Sequence, residues 1–120
     1  MAGRHRFRAR RQLNAAGTSD DVDFGPILER RHYQITHAAT RDATTTPTGA
    51  LTWLVKTPAY DHLLDEAPAP AVGRLYVLDD DVYLEPGETF TARFAGATAA
   101  DDLELYLEGW WWEDEESAAP

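Results

Sequence analysis

Residues 81–96 read DVYLEPGETFTARFAG. Apolar residues alternate with polar ones on both sides of Pro86-Gly87. Val82 and Leu84 come before it; Phe90, Ala92 and Phe94 come after. In an extended strand every second side chain lies on the same face. Pro at the first central position and Gly at the second make a type II turn, with Gly supplying the positive φ. The stretch predicts two strands, each with one apolar face, joined by a tight turn.

The same grammar runs outward through the chain. HYQITHAAT (32–40) is rich in aromatic and β-branched residues. ALTWLVKT (50–57) puts Leu51, Trp53 and Val55 on one face. RDATTTPTG between them is turn-like. Residues 58–72 hold three prolines and predict a long loop, with YDHLLDE inside it as a helical turn or a short strand. GRLYVL (73–78) is a further strand, and GATAADD turns the chain into LELYLEGWWW. No stretch has the period of a long amphipathic helix. Six to eight short strands with regular turns predict an all-β antiparallel β-sandwich, jelly-roll-like, over residues 22–113.

The final strand sorts its tryptophans by period. Leu103, Leu105, Leu107, Gly109 and Trp111 share one face. Glu104, Tyr106, Glu108, Trp110 and Trp112 share the other. Trp111 is therefore expected in the core. Trp110 and Trp112 are expected outside, to be hidden by a partner or by the chain's own ends. A bulge at Gly109 would exchange the two faces. Two exposed tryptophans make an apolar patch of about 300–500 Å², and tryptophan is a favoured interface residue.

The charge is lopsided. The net charge is −10, with 11 basic and 21 acidic residues. Arg4, Arg6, Arg8, Arg10 and Arg11 lie in the first eleven residues, which hold no acid. Residues 1–21 are thus expected as an extended or flexible basic arm, reaching about 36 Å over those eleven residues. Residues 114–120 make an acidic tail. An acidic body repels nucleic acid and anionic membranes. Lys56 is the single lysine beside ten arginines. That fits a halophile's proteome or an ordinary high-GC genome.

Motifs for chemistry are missing. The chain contains no cysteine, P-loop, GxGxxG, GxSxG or HExxH. His32 and His37 differ by five, which on one regular strand places them on opposite faces. Asp79, Asp80 and Asp81 are a weak candidate for holding a hard cation, without the spacing of a known loop. Neither an enzyme nor a cofactor is expected.

The body from YQITHAAT through TWLVKTPA to GRLYVLDDDVYLEPGETFTARFAGATAADDLELYLEGWW resembles jelly-roll structural proteins of tailed viruses. It is most similar to small virion proteins of haloarchaeal tailed viruses, over about residues 30–112. The resemblance rests on an E-P-G-E-T-F hairpin, a G-A-T-x-x-D-D turn and an L-x-L-x-L-x-G-W strand. It implies a virion protein made in the host cytoplasm: a capsid decoration, cement or turret component, or a head–tail or tail component. It also implies a homo-oligomer, a trimer above others, bound to a major capsid protein or another virion protein.

On that reading the partner-binding residues are Arg4, Arg6, Phe7, Arg8, Arg10, Arg11, Tyr106, Trp110 and Trp112. Deleting residues 1–11 is expected to weaken docking and leave the body folded. The rival reading is a carbohydrate module stacking sugars on Trp110, Trp112 and Tyr106.

Overall fold

A computed structural model of the chain describes residues 3–114. Among the described residues nine strands form: β1 (His5–Asn14), β2 (Asp20–Phe24), β3 (Arg31–Asp42), β4 (Leu51–Lys56), β5 (Asp61–Ala67), β6 (Tyr76–Leu78), β7 (Val82–Leu84), β8 (Thr89–Phe94) and β9 (Asp102–Glu113). No helix forms among the described residues. The first sheet runs β1-β9-β3, with β6 and β7 both paired to the far side of β3. The second runs β2-β8-β4-β5.

All pairs are antiparallel and nest in sequence: β1 with β9, β2 with β8, β3 with β6 and β7, β4 with β5. Such nesting wraps eight strands into a jelly roll. Here the sixth segment in that scheme is split into β6 and β7 by Asp79–Asp81.

The turn at Pro86-Gly87 forms as its residues require. Gly87 has φ +84°, and Glu88 N–H donates to Glu85 O at 3.1 Å. It does not make a hairpin, however. β7 pairs in the first sheet and β8 in the second, so the turn carries the chain across the sandwich. The β2–β3 connection pins it there: Ile27 N–H donates to Glu88 O and Gly87 N–H to Ile27 O, both at 2.9 Å.

The core lies between the two inner faces. Leu103, Leu105 and Leu107 meet Leu51, Trp53, Val55, Phe90, Ala92 and Phe94. The faces of residues 51–55 and 90–94 fall as their period requires.

Three expectations are corrected. First, the boundary at residue 22 cuts through the sandwich. His5–Asn14 is not a free arm but an edge strand, paired from His5↔Trp111 to Asn14↔Asp102. Its Phe7, Ala9 and Leu13 pack on the core. Second, the long loop expected over 58–72 is broken by β5, the short-strand alternative for YDHLLDE, with a register shift opposite Trp53/Leu54 that breaks its period. Third, β3 carries a bulge between Ile35 and His37. Thr36 is the extra residue, so His32 and His37 point to the same, outer face. They engage different partners nonetheless. The expected acidic tail lies outside the described residues except for Asp114.

One end of the sandwich holds a buried carboxyl pair. Asp42 and Asp101 are each 1% exposed. Asp42 Oδ1 accepts N–H bonds from Thr44 at 3.0 Å and Thr45 at 3.2 Å. Its buried Oδ2 meets no donor, and the carboxyl adjoins that of Asp101. Two such carboxylates resist ionising together, so below about pH 6 the pair holds one proton. Burial, then Asp101, push Asp42 up to about 6, while the bond from Asp42 holds Asp101 below its usual range.

A raised acid stabilises the fold fully below its unfolded pKa, near 4, and loses that contribution as pH rises through about 6. Asp42→Asn keeps the oxygen and supplies a permanent donor. It should raise stability at pH 7–8 by about 1–2 kcal/mol and flatten the slope between pH 4 and 6. Urea titrations across that range check this; an unchanged slope in Asp42→Asn rules out the shared proton.

Candidate interaction face

The outer face of the first sheet gathers what sequence separates by about a hundred residues. Period two turns Arg6, Arg8 and Arg10 outward on β1. The β1–β9 register sets them opposite Trp110, Glu108 and Tyr106. On the other side of β9, the register with β3 sets His32 opposite Trp112 and Gln34 opposite Trp110.

At one end of the face the aromatic rings carry cations. The Arg4 guanidinium lies 4.9 Å from the Trp112 ring centroid and 5.4 Å from that of Trp110. Arg6 lies 5.0 Å from Trp110. These are cation–π distances. Arg4 also donates to Gln34 Oε1. His32 stacks on Trp112 with centroids 5.8 Å apart. Its ring nitrogens meet Glu85, and Asp114 at 2.7 Å. Burial lowers the His32 pKa, but the two carboxylates outweigh burial and raise it above the ordinary value.

At the other end ion pairs replace stacking. Glu104, 5% exposed, accepts from Arg41 Nε at 2.6 Å, Arg10 at 3.0 Å and Tyr106 Oη at 3.0 Å. Burial pushes its carboxyl up, yet Arg41, Tyr106 and Arg10 hold it at about 2. Arg8 pairs with Glu108. Between these groups Arg8, Arg10, His37, Tyr106 and Glu108 line a shallow groove of about 540 Å³.

Trp110 and Trp112 are thus half-buried rather than bare. The cover comes from the chain's own N-terminal residues and His32. Trp111 does face inward, but beyond the closed core. It sits between His5, stacked at 4.5 Å, and Arg31, whose guanidinium is 4.5 Å from the ring centroid. Gly109 keeps the expected face; the bulge is on β3 beside it.

Of the candidate residues, Arg4, Arg6, Arg8, Arg10, Tyr106, Trp110 and Trp112 come together on this face. Phe7 does not. It points inward, against Phe24 at 5.7 Å and Tyr33 at 5.1 Å. Arg11 lies at the sheet edge over Phe24. Asp79–Asp81 lie in the break between β6 and β7. Asp81 accepts from Gln34 at 3.0 Å, and no group of three metal-ligating side chains forms among the described residues.

No family model matches the chain, and no curated protein does. Among solved structures it is similar to the NLP core of Drosophila, described for its pentamer formation and histone binding. The TM-score is 0.52 at 13% identity, over 92% of this chain and 100% of that one.

The likeness is one of fold. It gives no residue of the face a role.

His32, Gln34, Arg41, Glu104 and Glu108 complete the face but were not singled out from sequence. One signal was present. Arginines at 6, 8 and 10 complement an aromatic–acid alternation at 104–112, read in antiparallel order.

Proposed function

We propose that this chain is a structural subunit of a tailed-virus particle. It docks on a major capsid protein or another virion protein through the outer face of β1-β9-β3, as a decoration, cement or turret component. One observation carries the reading: a Trp110–Trp112–Arg4–Arg6–His32 cluster, joined to Tyr106 and Arg10, on a body of net charge −10. Tryptophan, tyrosine and arginine are the side chains that dominate interface energetics. Stacked arginine keeps its contact in strong salt, where the Debye length falls to about 3 Å.

The arginines here act as part of a face. They do not clasp a neighbour as a free arm, because their rings and carboxylates are their own. The homo-oligomer implied by the viral resemblance, a trimer above others, belongs to the same proposal.

Trp110→Ala with Trp112→Ala should spare the fold and lower occupancy on particles lacking the protein by at least about tenfold, the effect of losing one interface hot spot of about 2 kcal/mol. Co-sedimentation with such particles measures it. Unchanged occupancy with a normal melting curve would sink the proposal. A glycan that binds saturably and is lost with Trp110 would favour the carbohydrate reading instead.

A further inference from the structure

The two flanks of the sandwich carry opposite charge. β1 and β2 close one flank against each other, and β5 with β6 and β7 form the other. On the first flank β1 exposes its arginines. Arg6 and Arg11 form no ion pair among the described residues, and the Arg8 side chain is 83% exposed even while paired. The acids of β2 add little opposing charge. Lys56 bonds to Asp21 at 2.7 Å and Asp23 at 3.1 Å, and Arg93 bonds to Asp21 at 2.8 Å. Asp20 is turned in, accepting from the Ala16 and Gly17 N–H groups.

On the second flank the acids stand free. Asp65, Glu66, Asp79 and Asp80 have no ion-pair partner among the described residues. Apolar side chains stand exposed beside them: Leu63, Tyr60 and Tyr83, with Leu75 and Val77 along the same flank. A groove of about 300 Å³ runs between β5 and β7, lined by Tyr60, His62, Leu64, Asp81, Tyr83 and Glu88. Of the edge strands, β1 and β5 each keep one row of backbone groups without a strand partner, as do β2 and the β6–β7 side.

An open edge invites pairing, and charge decides with what. β1 against a second β1 sets arginines against arginines. β5 against a second β5 sets acids against acids. Only unlike edges attract.

We propose that copies of this chain associate head to tail, the arginine edge β1 of one copy against the acidic, apolar β5–β7 flank of the next. The contact is heterologous, so successive copies are related by a constant rotation and close into a ring when that rotation divides the circle. It occupies the β1 edge, where Arg11 lies over Phe24, and leaves the outer face of β1-β9-β3, with Arg4 and Arg6 on Trp110 and Trp112, open to the shell. The inference rests on the reading of the chain as an assembly subunit and names the surface by which it joins its own kind.

Native mass spectrometry and light scattering of the full chain test it. The wild type should give one closed multiple of the chain mass. Arg11→Glu, and separately Asp65→Arg with Glu66→Arg, should yield folded chains whose association is weakened at least tenfold. The three substitutions together reverse both edges and should restore the ring.

A wild type that stays monomeric overturns the interface. So does a ring indifferent to the reversals, or a triple variant no better than its parents. So does a monomer whose acidic flank captures a polyarginine peptide. The two readings fail separately. A monomer that still docks on particles loses only the interface, and a ring that ignores particles loses only the docking role.

Discussion

Deleting residues 1–11 is expected to unfold the domain. The structure reverses the simpler expectation that a basic arm can be cut without harm. β1 pairs with β9 from Asp102 to Trp111, so its loss turns the central strand of the first sheet into an edge. Phe7 and Ala9 leave the core with it, and Leu107 and Leu105, now 2% and 0% exposed, lose their neighbours on that side. Each large apolar side chain uncovered costs about 1.5–3 kcal/mol. The freed backbone entropy offsets part of this.

The net loss is on the order of 5 kcal/mol, comparable to the whole stability of a domain of this size, about 5–15 kcal/mol. The rings of Trp110 and Trp112 lose Arg4 and Arg6 at the same time, so the truncated chain should also aggregate. Circular dichroism melts and amide exchange of the truncated chain read this directly. A cooperative melt at the wild-type temperature would mean that β1 is dispensable. Replacing Arg4, Arg6 and Arg8 by Ser keeps the strand and should keep the fold, which separates pairing from charge.

What the sequence made legible was local. The alternations at 51–55, 90–94 and 103–107 were strong enough to assign faces, because each is bounded by a turn whose residues allow little else. The tryptophans were sorted correctly by face for the same reason. What stayed hidden was non-local. Gly87 fixes a turn, but nothing in EPGE says that the strands on either side belong to different sheets. That depends on β3 and β2 coming to meet them.

The first segment was read as extended, and it is. Its apolar members, Phe7, Ala9 and Leu13, are interrupted by Arg11, and the pattern alone does not announce a buried face. Its partner, a hundred residues on, supplies the missing half. The two bulges defeated parity arguments outright. One extra residue at Thr36 brought His37 to the side of His32, and the shift beside Leu63 and Leu64 left β5 open between a helical turn and a short strand. In the site, of the two covers expected for Trp110 and Trp112, a partner or the chain's own ends, the structure supplies the second, through Arg4 and Arg6, and adds His32.

Gly109→Ala is expected to be a severely damaging single methyl. A Cβ at 109 would stand 2.0 Å from Gln34 O and 3.0 Å from both Gln34 C and Ile35 Cα. The obstruction is the backbone of β3 and cannot swing aside as a side chain would. The close approach falls at the β3 bulge, where Ile35 faces Gly109 and the register shifts before His37 meets Glu108. On the other side Phe7 is the register partner of Gly109, so β9 has no room to retreat.

The strands must part, and they are the central pair of the sheet. The expected cost is about 3–4 kcal/mol, above the usual overpacking penalty of about 1–3 kcal/mol. Gly73→Ala is the fitting contrast. Gly73 has φ +71° and open space around it, so only backbone strain of about 1–2 kcal/mol opposes the methyl. Urea titrations of both variants against the wild type decide the matter. If Gly109→Ala costs no more than Gly73→Ala, β9 can move away from β3, and the glycine is then not what allows the sheet to close at the bulge. If it costs the larger sum, the single glycine before three tryptophans is there so that β3 can take its extra residue and still keep Tyr33 and Trp111 on the inner face, with Trp110 and Trp112 on the outer one.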